Sequence, residues 1–145
     1  MTIRPCDNAA FDEMRAVIND AARAYRGVIA PDRWKVPYMP ADELRHEIEA
    51  GVLFSGAWDA DGRLLAVMGL QDVQDVTLIR HAYTRTDAQR RGHGAALLTH
   101  LLASTDRPML VGTWRAAEWA VRFYEAHGFA LVSDEDKVRL LTRYW

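Results

Sequence analysis

Residues 52–84, VLFSGAWDADGRLLAVMGLQDVQDVTLIRHAYT, hold three apolar runs in close succession. The first two are joined around Asp59-Ala60-Asp61-Gly62, which is turn chemistry between two strands. The third, residues 76–84, follows Asp72 and Asp75. Three strands in a row commit the middle of the chain to a sheet, and the flanking segments must then cover its faces. TIRP at the start reads as a short first strand. Asn8 is placed to cap a helix on which Phe11, Met14, Val17, Ile18 and Ala21 keep helical spacing. Residues 25–39 carry Gly27, Pro31 and Pro37 and read as irregular. Pro40 opens a second helix that joins Leu44 and Ile48 on one face and closes at Gly51. Beyond the central strands, Leu97, Leu98, Leu101 and Leu102 form one helical stripe, and residues 109–113 read as a short buried strand. Trp119 and Phe123 share a face of a further helix ending at Gly128. FALV, residues 129–132, reads as a last strand. The expected order is strand, two helices, three strands, helix, strand, helix, strand: a mixed α/β sheet with helices on its faces.

At 145 residues the whole chain, 1–145, suits one domain, the common size being about 100–150 residues. A formal charge of −2 argues against a general nucleic-acid binder. Sixteen of the 18 basic residues are arginine, whose planar fork suits phosphate and carboxylate. Cys6 is the single cysteine, so no intrachain disulfide forms and nothing points to an oxidising compartment. The first residues, MTIRPCDNAAF, lack the apolar core of a leader, and no window reaches the about 18 apolar residues of a membrane span. A soluble cytoplasmic protein with no membrane partner is expected.

The third strand runs into Gln89-Arg90-Arg91-Gly92-His93-Gly94-Ala95, which leads directly into the leucine stripe. The first turn of a helix leaves backbone N–H groups without partners, and the helix dipole adds partial positive charge there. Gly92 and Gly94 remove the side chains that would hold an anion away, and Arg90 and Arg91 add charge. The alternative is a tight turn on a solvated basic edge. A P-loop is excluded because no lysine follows Gly94. A dinucleotide fingerprint is disfavoured because Leu97 stands where its third small residue belongs.

The second informative stretch is residues 114–129, WRAAEWAVRFYEAHGF. Ala120 and Tyr124 share a helix face, while Phe123 is expected to turn toward the core. Q-x-x-G-x-G after a strand, followed by helix, strand and a helix ending F-Y-x-x-x-G-F, resembles the GNAT family of acyl-CoA-dependent N-acyltransferases over most of the chain. The resemblance implies a central, mostly antiparallel mixed sheet flanked by helices. It implies acetyl-CoA as cofactor, and direct acetyl transfer to a primary amine, carried by a small molecule or by a protein or peptide.

Placed on these residues, the resemblance assigns Ala82, Tyr83 and Thr84 to the strand that holds the pantetheine arm. Gln89, Arg90, Arg91, Gly92, His93, Gly94 and Ala95 would hold the pyrophosphate, with Ala117 and Ala120 also beside the cofactor. Tyr124 matches the general acid that protonates the departing thiolate. Candidate bases are His81, Asp72, Asp75 and Glu118. His81 has the most suitable ordinary pKa and lies two residues from Tyr83. His93 is read as a turn residue over the phosphates, and His46, His100 and His127 as surface or core-edge residues. Tyr25, Arg26, Trp34 and Tyr38 lie in the segment that would wall the acceptor site, where aromatics can stack on a flat or cationic acceptor and Arg26 or Arg33 can pair with a carboxylate.

Three departures from the family stand out. Thr86 replaces a frequent proline and is expected to loosen the start of the turn. Ala117 replaces a frequent asparagine, removing a side-chain contact to the cofactor. The family's sheet usually gains one more strand after FALV, but DEDKVRLLTRYW reads as a helix with Val138, Leu141 and Trp145 on one face, so the strand is expected to be absent, cut off, or supplied by a neighbouring subunit. The uncovered sheet edge favours association, a homodimer being one outcome. The competing reading is a non-catalytic acyl-CoA sensor or assembly module on the same fold.

Overall fold

The computed structural model describes residues 1–145. Strand β1 (Thr2–Pro5) is followed by α1 (Phe11–Ala22), α2 (Ala41–Glu49), then β2 (Leu53–Trp58), β3 (Leu64–Val73) and β4 (Val76–Thr84). After these come α3 (His93–Leu102), β5 (Met109–Val111), α4 (Glu118–Glu125) and α5 (Asp134–Tyr144). The strands form one sheet in sequence order, β1-β2-β3-β4-β5. The first four are antiparallel to their neighbours, and β5 runs parallel to β4 because α3 crosses over between them.

Each face of the sheet buries one apolar set. On one face, Met14, Val17 and Ile18 of α1 and Leu44 of α2 pack against Val52, Phe54, Leu64 and Val67. On the other, Leu97, Leu98 and Leu101 of α3 pack against Ala57, Ala66, Met68 and Ile79, with Tyr124 of α4 closing the cluster. The alternation along β3 follows from strand geometry, which sends neighbouring side chains to opposite faces. Both faces are covered, so all of residues 64–68 are buried.

Four expectations are corrected. The cap before α1 is Asp7, whose carboxylate accepts from the Ala9 amide at 3.1 Å, while Asn8 lies inside the short 3-10 turn that follows. Residues 129–132 form no strand: FALV has no strand to pair with, and Leu131 is left 75% exposed. The sheet therefore ends at β5, whose outer edge is unpaired. The C-terminal stretch is the expected helix, with Ser133 accepting from the Asp136 amide as its cap. Its inner side, however, is Leu140 and Tyr144 against Val76 and Leu78; Val138 and Leu141 lie on the exposed side, and Trp145, just past the helix, is half-exposed near Gly112. What sets this rotation is the far end of the helix. Tyr144 donates to Asp75 at 2.7 Å and Gln74 donates to the Arg143 carbonyl at 2.9 Å, both across the β3–β4 turn. Thr86 is the fourth correction. Its amide donates to Asp20 of α1 at 2.7 Å, a bond proline could not make, so the start of the turn is tied down rather than loosened.

Met14 is fully buried at the centre of the α1 face. Met14→Ala is expected to lower unfolding free energy by about 2–5 kcal/mol with the fold retained, measured by urea denaturation.

Candidate functional site

The site begins with a fault in the sheet. Opposite β3, the register steps from Val67–Tyr83 to Gly69–Arg80, so Met68 alone faces both His81 and Ala82. That is a β-bulge, and His81 takes the left-handed backbone conformation it requires, with φ of 58°. Gly69 sits beside it because nothing larger fits: an added Cβ would lie 2.8 Å from the Arg80 carbonyl oxygen and 2.6 Å from Val52. Immediately before the bulge, β4 also loses its other partner. Pairing with β5 stops at Ile79–Val111, and the two strands part.

A cavity of about 810 Å³ occupies the space between the parted strands. Its walls are residues 79–84 of β4, residues 111–114 from the last residue of β5 onward, the glycine turn, and α4 through Trp119, Ala120, Phe123 and Tyr124. Tyr25 and Tyr38 close it from the irregular segment. No Asp or Glu lines it; Arg80 and Arg90 supply the permanent charge.

At one end stands the glycine turn. Arg90 and Gly92, on either side of Arg91, have φ of 64° and 82°, and the chain turns through them into α3. The first amide of this helix to find a backbone acceptor is Ala96, bonded to the Gly92 carbonyl at 2.9 Å. The amides of residues 91–95 donate to nothing in the protein and lie at the positive end of the helix dipole. Arg90 and Arg91 are exposed, and neither enters an ion pair. Gly94 keeps open space: an added Cβ would meet only Thr84 and Phe123, at 3.4 and 3.7 Å. Donors, charge and clearance together make a cradle for a phosphate or diphosphate group.

Deeper in the cavity lies Tyr124, buried and wedged edge-on between Phe123 and Phe129 at 5.2 and 5.5 Å. Burial, and secondarily the neighbouring Tyr25, push its pKa well above the ordinary tyrosine value, so it stays protonated. Phe123, expected to face the core, is half-buried and lines the cavity beside it. His81 lines the same space, its ring stacked on Phe54 at 6.0 Å and its Nε2 3.4 Å from Glu47 of α2. Burial lowers its pKa below the ordinary 6.5, against the opposing pull of Glu47, so the imidazole is neutral at pH 7.

An aromatic wall completes the opening. Trp34 stacks on Tyr38 at 5.7 Å, Tyr38 on Tyr25 at 6.3 Å, and Tyr25 against Trp119 at 5.7 Å, with Tyr83 edge-on to both tyrosines. Burial raises the pKa of Tyr25 and Tyr83, and Tyr38 adds to both shifts, so these hydroxyls are neutral.

Of the residues singled out in the sequence, the cavity gathers His81, Ala82, Tyr83, Thr84, Gln89, Arg90, Gly92, His93, Gly94, Ala95, Ala120, Tyr124, Tyr25 and Tyr38. Arg91, Arg26, Trp34 and Ala117 do not line it. Ala117 is fully buried at the head of α4, and Trp34 reaches the site only through Tyr38. Of the other candidate bases, Asp72 accepts from Thr77, Asp75 is taken by Tyr144, and Glu118 is exposed beside Arg122. Cys6 lies outside the cavity, its thiol pushed up to about 12 by burial and then by Asp7, so it offers no thiolate. Sequence reasoning missed the bulge, for which Gly69 inside an apolar run was the available signal. It also missed Trp114 and Trp145 in the wall, for which there was none.

The sequence profile of the acetyltransferase (GNAT) domain matches residues 16–142. Among solved structures, a variant of protein BH1408 of Bacillus halodurans superposes with a TM-score of 0.80 at 14% identity, covering 92% of this chain and 96% of that one. PaiA N-acetyltransferase of Thermoplasma acidophilum, solved in complex with coenzyme A, has a TM-score of 0.74 at 18% identity, with coverage of 91% and 92%. The ribosomal-protein-S18-alanine N-acetyltransferase of Escherichia coli has 0.73 at 19%, with coverage of 91% and 79%. A search of the curated proteins returns no match.

The two glycines of the turn differ in what a methyl group would do. Gly92→Ala forces a left-handed alanine and is expected to cost about 1–2 kcal/mol. Gly94→Ala meets only ordinary contacts in a helix and is expected to leave stability unchanged or slightly raised. Thermal unfolding of the two variants checks the difference.

Proposed function

The chain belongs to the GNAT acetyltransferase family, whose members use acetyl-CoA, and from that premise we propose that it transfers an acetyl group to a primary amine. We assign Tyr124 as the general acid and His81 as the general base. The observation that carries the reading is the turn of residues 89–95, with its unpartnered amides and the clearance at Gly94, opening into the same cavity as Tyr124. These residues fit coenzyme A. Gly92, His93, Gly94 and Ala95 would hold the diphosphate through their amides, Arg90 and Arg91 would add charge, and Ala82 to Thr84 would meet the pantetheine arm along the unpaired side of β4. When bound, acetyl-CoA supplies the activated thioester.

The protein's own part is positioning and proton management. Confining amine and thioester between the parted strands replaces a bimolecular encounter with an effectively unimolecular one. An alkylamine must lose a proton to end as an amide, and neutral His81 accepts it. As the carbon–sulfur bond breaks, the Tyr124 hydroxyl donates its proton to sulfur. The burial that keeps Tyr124 neutral also penalises a bare thiolate, so the donor is needed where it stands. With no cavity thiolate to carry the acetyl group, direct attack is favoured over a covalent enzyme intermediate.

The acceptor side is aromatic and free of carboxylates. It favours an amine borne on an apolar or flat group over a polyamine, which would find no counter-charge there.

Three measurements test this reading. Gly94→Ala is expected to weaken coenzyme A binding by about tenfold or more in calorimetry without destabilising the protein; that corresponds to about 1.4 kcal/mol or more. Tyr124→Phe should lower kcat by about 10²-fold with coenzyme A affinity nearly unchanged; undiminished turnover would remove Tyr124 from the mechanism. For His81 the suitable variant is asparagine, which tolerates the left-handed backbone. The wild-type advantage over His81→Asn should be full above the lowered His81 pKa and vanish as pH falls through it. An advantage that persists unchanged at pH values where NMR shows the His81 ring protonated would exclude His81 as the base.

A further inference from the structure

The chain has a single buried side-chain polar atom without a hydrogen-bond partner, the Nε2 of His81. Its surroundings decide which form of the ring is stable. From α2, the Glu47 carboxylate stands 3.4 Å away, and Glu43 lies farther off on the same helix. From β4 itself comes Arg80, which reaches the second Glu47 oxygen at 3.5 Å and donates to Gln71 at 3.0 Å. From β2 comes Phe54, uncharged, stacked on the ring.

The Glu47 carboxylate, in contact with Arg80, offers only acceptor oxygens. A lone pair on Nε2 would face the lone pairs of that carboxylate in a space closed to water. A proton on Nε2 lies beside an acceptor oxygen 3.4 Å away, a contact too long and too poorly aligned to be a full hydrogen bond but attractive in sign. The stable neutral tautomer therefore carries its proton on Nε2, leaving the lone pair on Nδ1. Nδ1 is not among the buried atoms, and the residue lines the cavity. The backbone holds the ring there, because the bulge with φ of 58° turns His81 out of the ladder against Phe54.

We propose that Glu47 is a positioning residue: it fixes the Nε2–H tautomer of His81 and so presents Nδ1 to the cavity as the atom that accepts the amine's proton. Glu47 touches neither substrate nor cofactor and acts only through the ring. The arrangement rests on the acetyl-transfer reading for its purpose, although the pairing itself is a property of the protein alone. Arg80 holds the other end of Glu47 and opposes protonation of His81. The pair thus keeps the imidazole oriented without keeping it charged.

The test has two arms. In the first, long-range proton–nitrogen NMR of the free protein follows His81, its signal identified by its loss in His81→Asn. The expected result is an Nε2–H tautomer in wild type, and in Glu47→Gln a titration midpoint displaced to lower pH, since an anion that favours the imidazolium is gone. Arg80→Gln should displace it the opposite way. An Nδ1–H tautomer in wild type, or a midpoint unmoved by Glu47→Gln, overturns the proposal. The second arm is a double-mutant cycle on acetyl transfer. Glu47→Gln is expected to lower kcat by about tenfold, part of the about 10²–10⁴ that a positioned base supplies, with KM unchanged. Added to His81→Asn it should cost nothing further, whereas fully additive losses would give Glu47 a separate role and overturn the proposal. Absence of acetyl transfer by the wild type across an amine panel would sink the proposed function instead, and the NMR arm would still decide whether Glu47 holds the ring.

Discussion

The site depends on β4 leaving both of its neighbours at one point. After Ile79 it no longer pairs with β5, and at His81 it bulges away from β3. Either fault alone would be a local irregularity in a well-covered sheet. Together they open a space lined by strand backbone and set two consecutive residues out of the regular alternation. The cavity, the placement of His81 over Phe54 and the access to Tyr124 all follow from this divergence. A flush, fully paired sheet would have filled the same volume with side chains.

The rest of the fold steadies that opening. Asp20 of α1 takes the Thr86 amide and hydroxyl and pairs with Arg23; these donors outweigh its burial and hold its pKa below the usual carboxylate value. Arg85 donates to the Leu64 carbonyl at 2.6 Å, and its amide donates to Leu65 at 2.8 Å, binding the end of β4 to the neighbouring hairpin. These contacts precede the glycine turn, so the mouth of α3 is aimed by a rigid scaffold although its own amides are unpaired. Free donors held stiffly suit anion binding, because little ordering remains to be done when a ligand arrives.

Periodicity located nearly all the elements. The hairpin at Asp59–Gly62, the run over residues 76–84 and the leucine stripe of α3 were legible because each is a local pattern that burial simply preserves. FALV misled because strand propensity is realised only beside a partner, and none is present next to residues 129–132. The face of α5 misled because apolar spacing on a short helix admits more than one rotation. The bonds of Tyr144 and Arg143 to the β3–β4 turn, far away in sequence, chose among them. Within the site, the glycine turn was readable as a bend with free amides at the head of a helix. Glu47 was not, since nothing links residues 47 and 81 until α2 folds across β4.

By itself, the sequence determined the local grammar: which segments alternate as strands, which carry a helical stripe, where glycine permits a reversal, and that a glycine-rich turn flanked by arginines precedes the third helix. Those features are written in neighbouring residues, and burial has only to keep them. Tertiary structure decided the rest: where the sheet splits, which side of α5 turns inward, which tyrosines and tryptophans meet, and which carboxylate faces His81. Such features arise between residues far apart in the chain, and only packing selects one arrangement among those the local patterns allow.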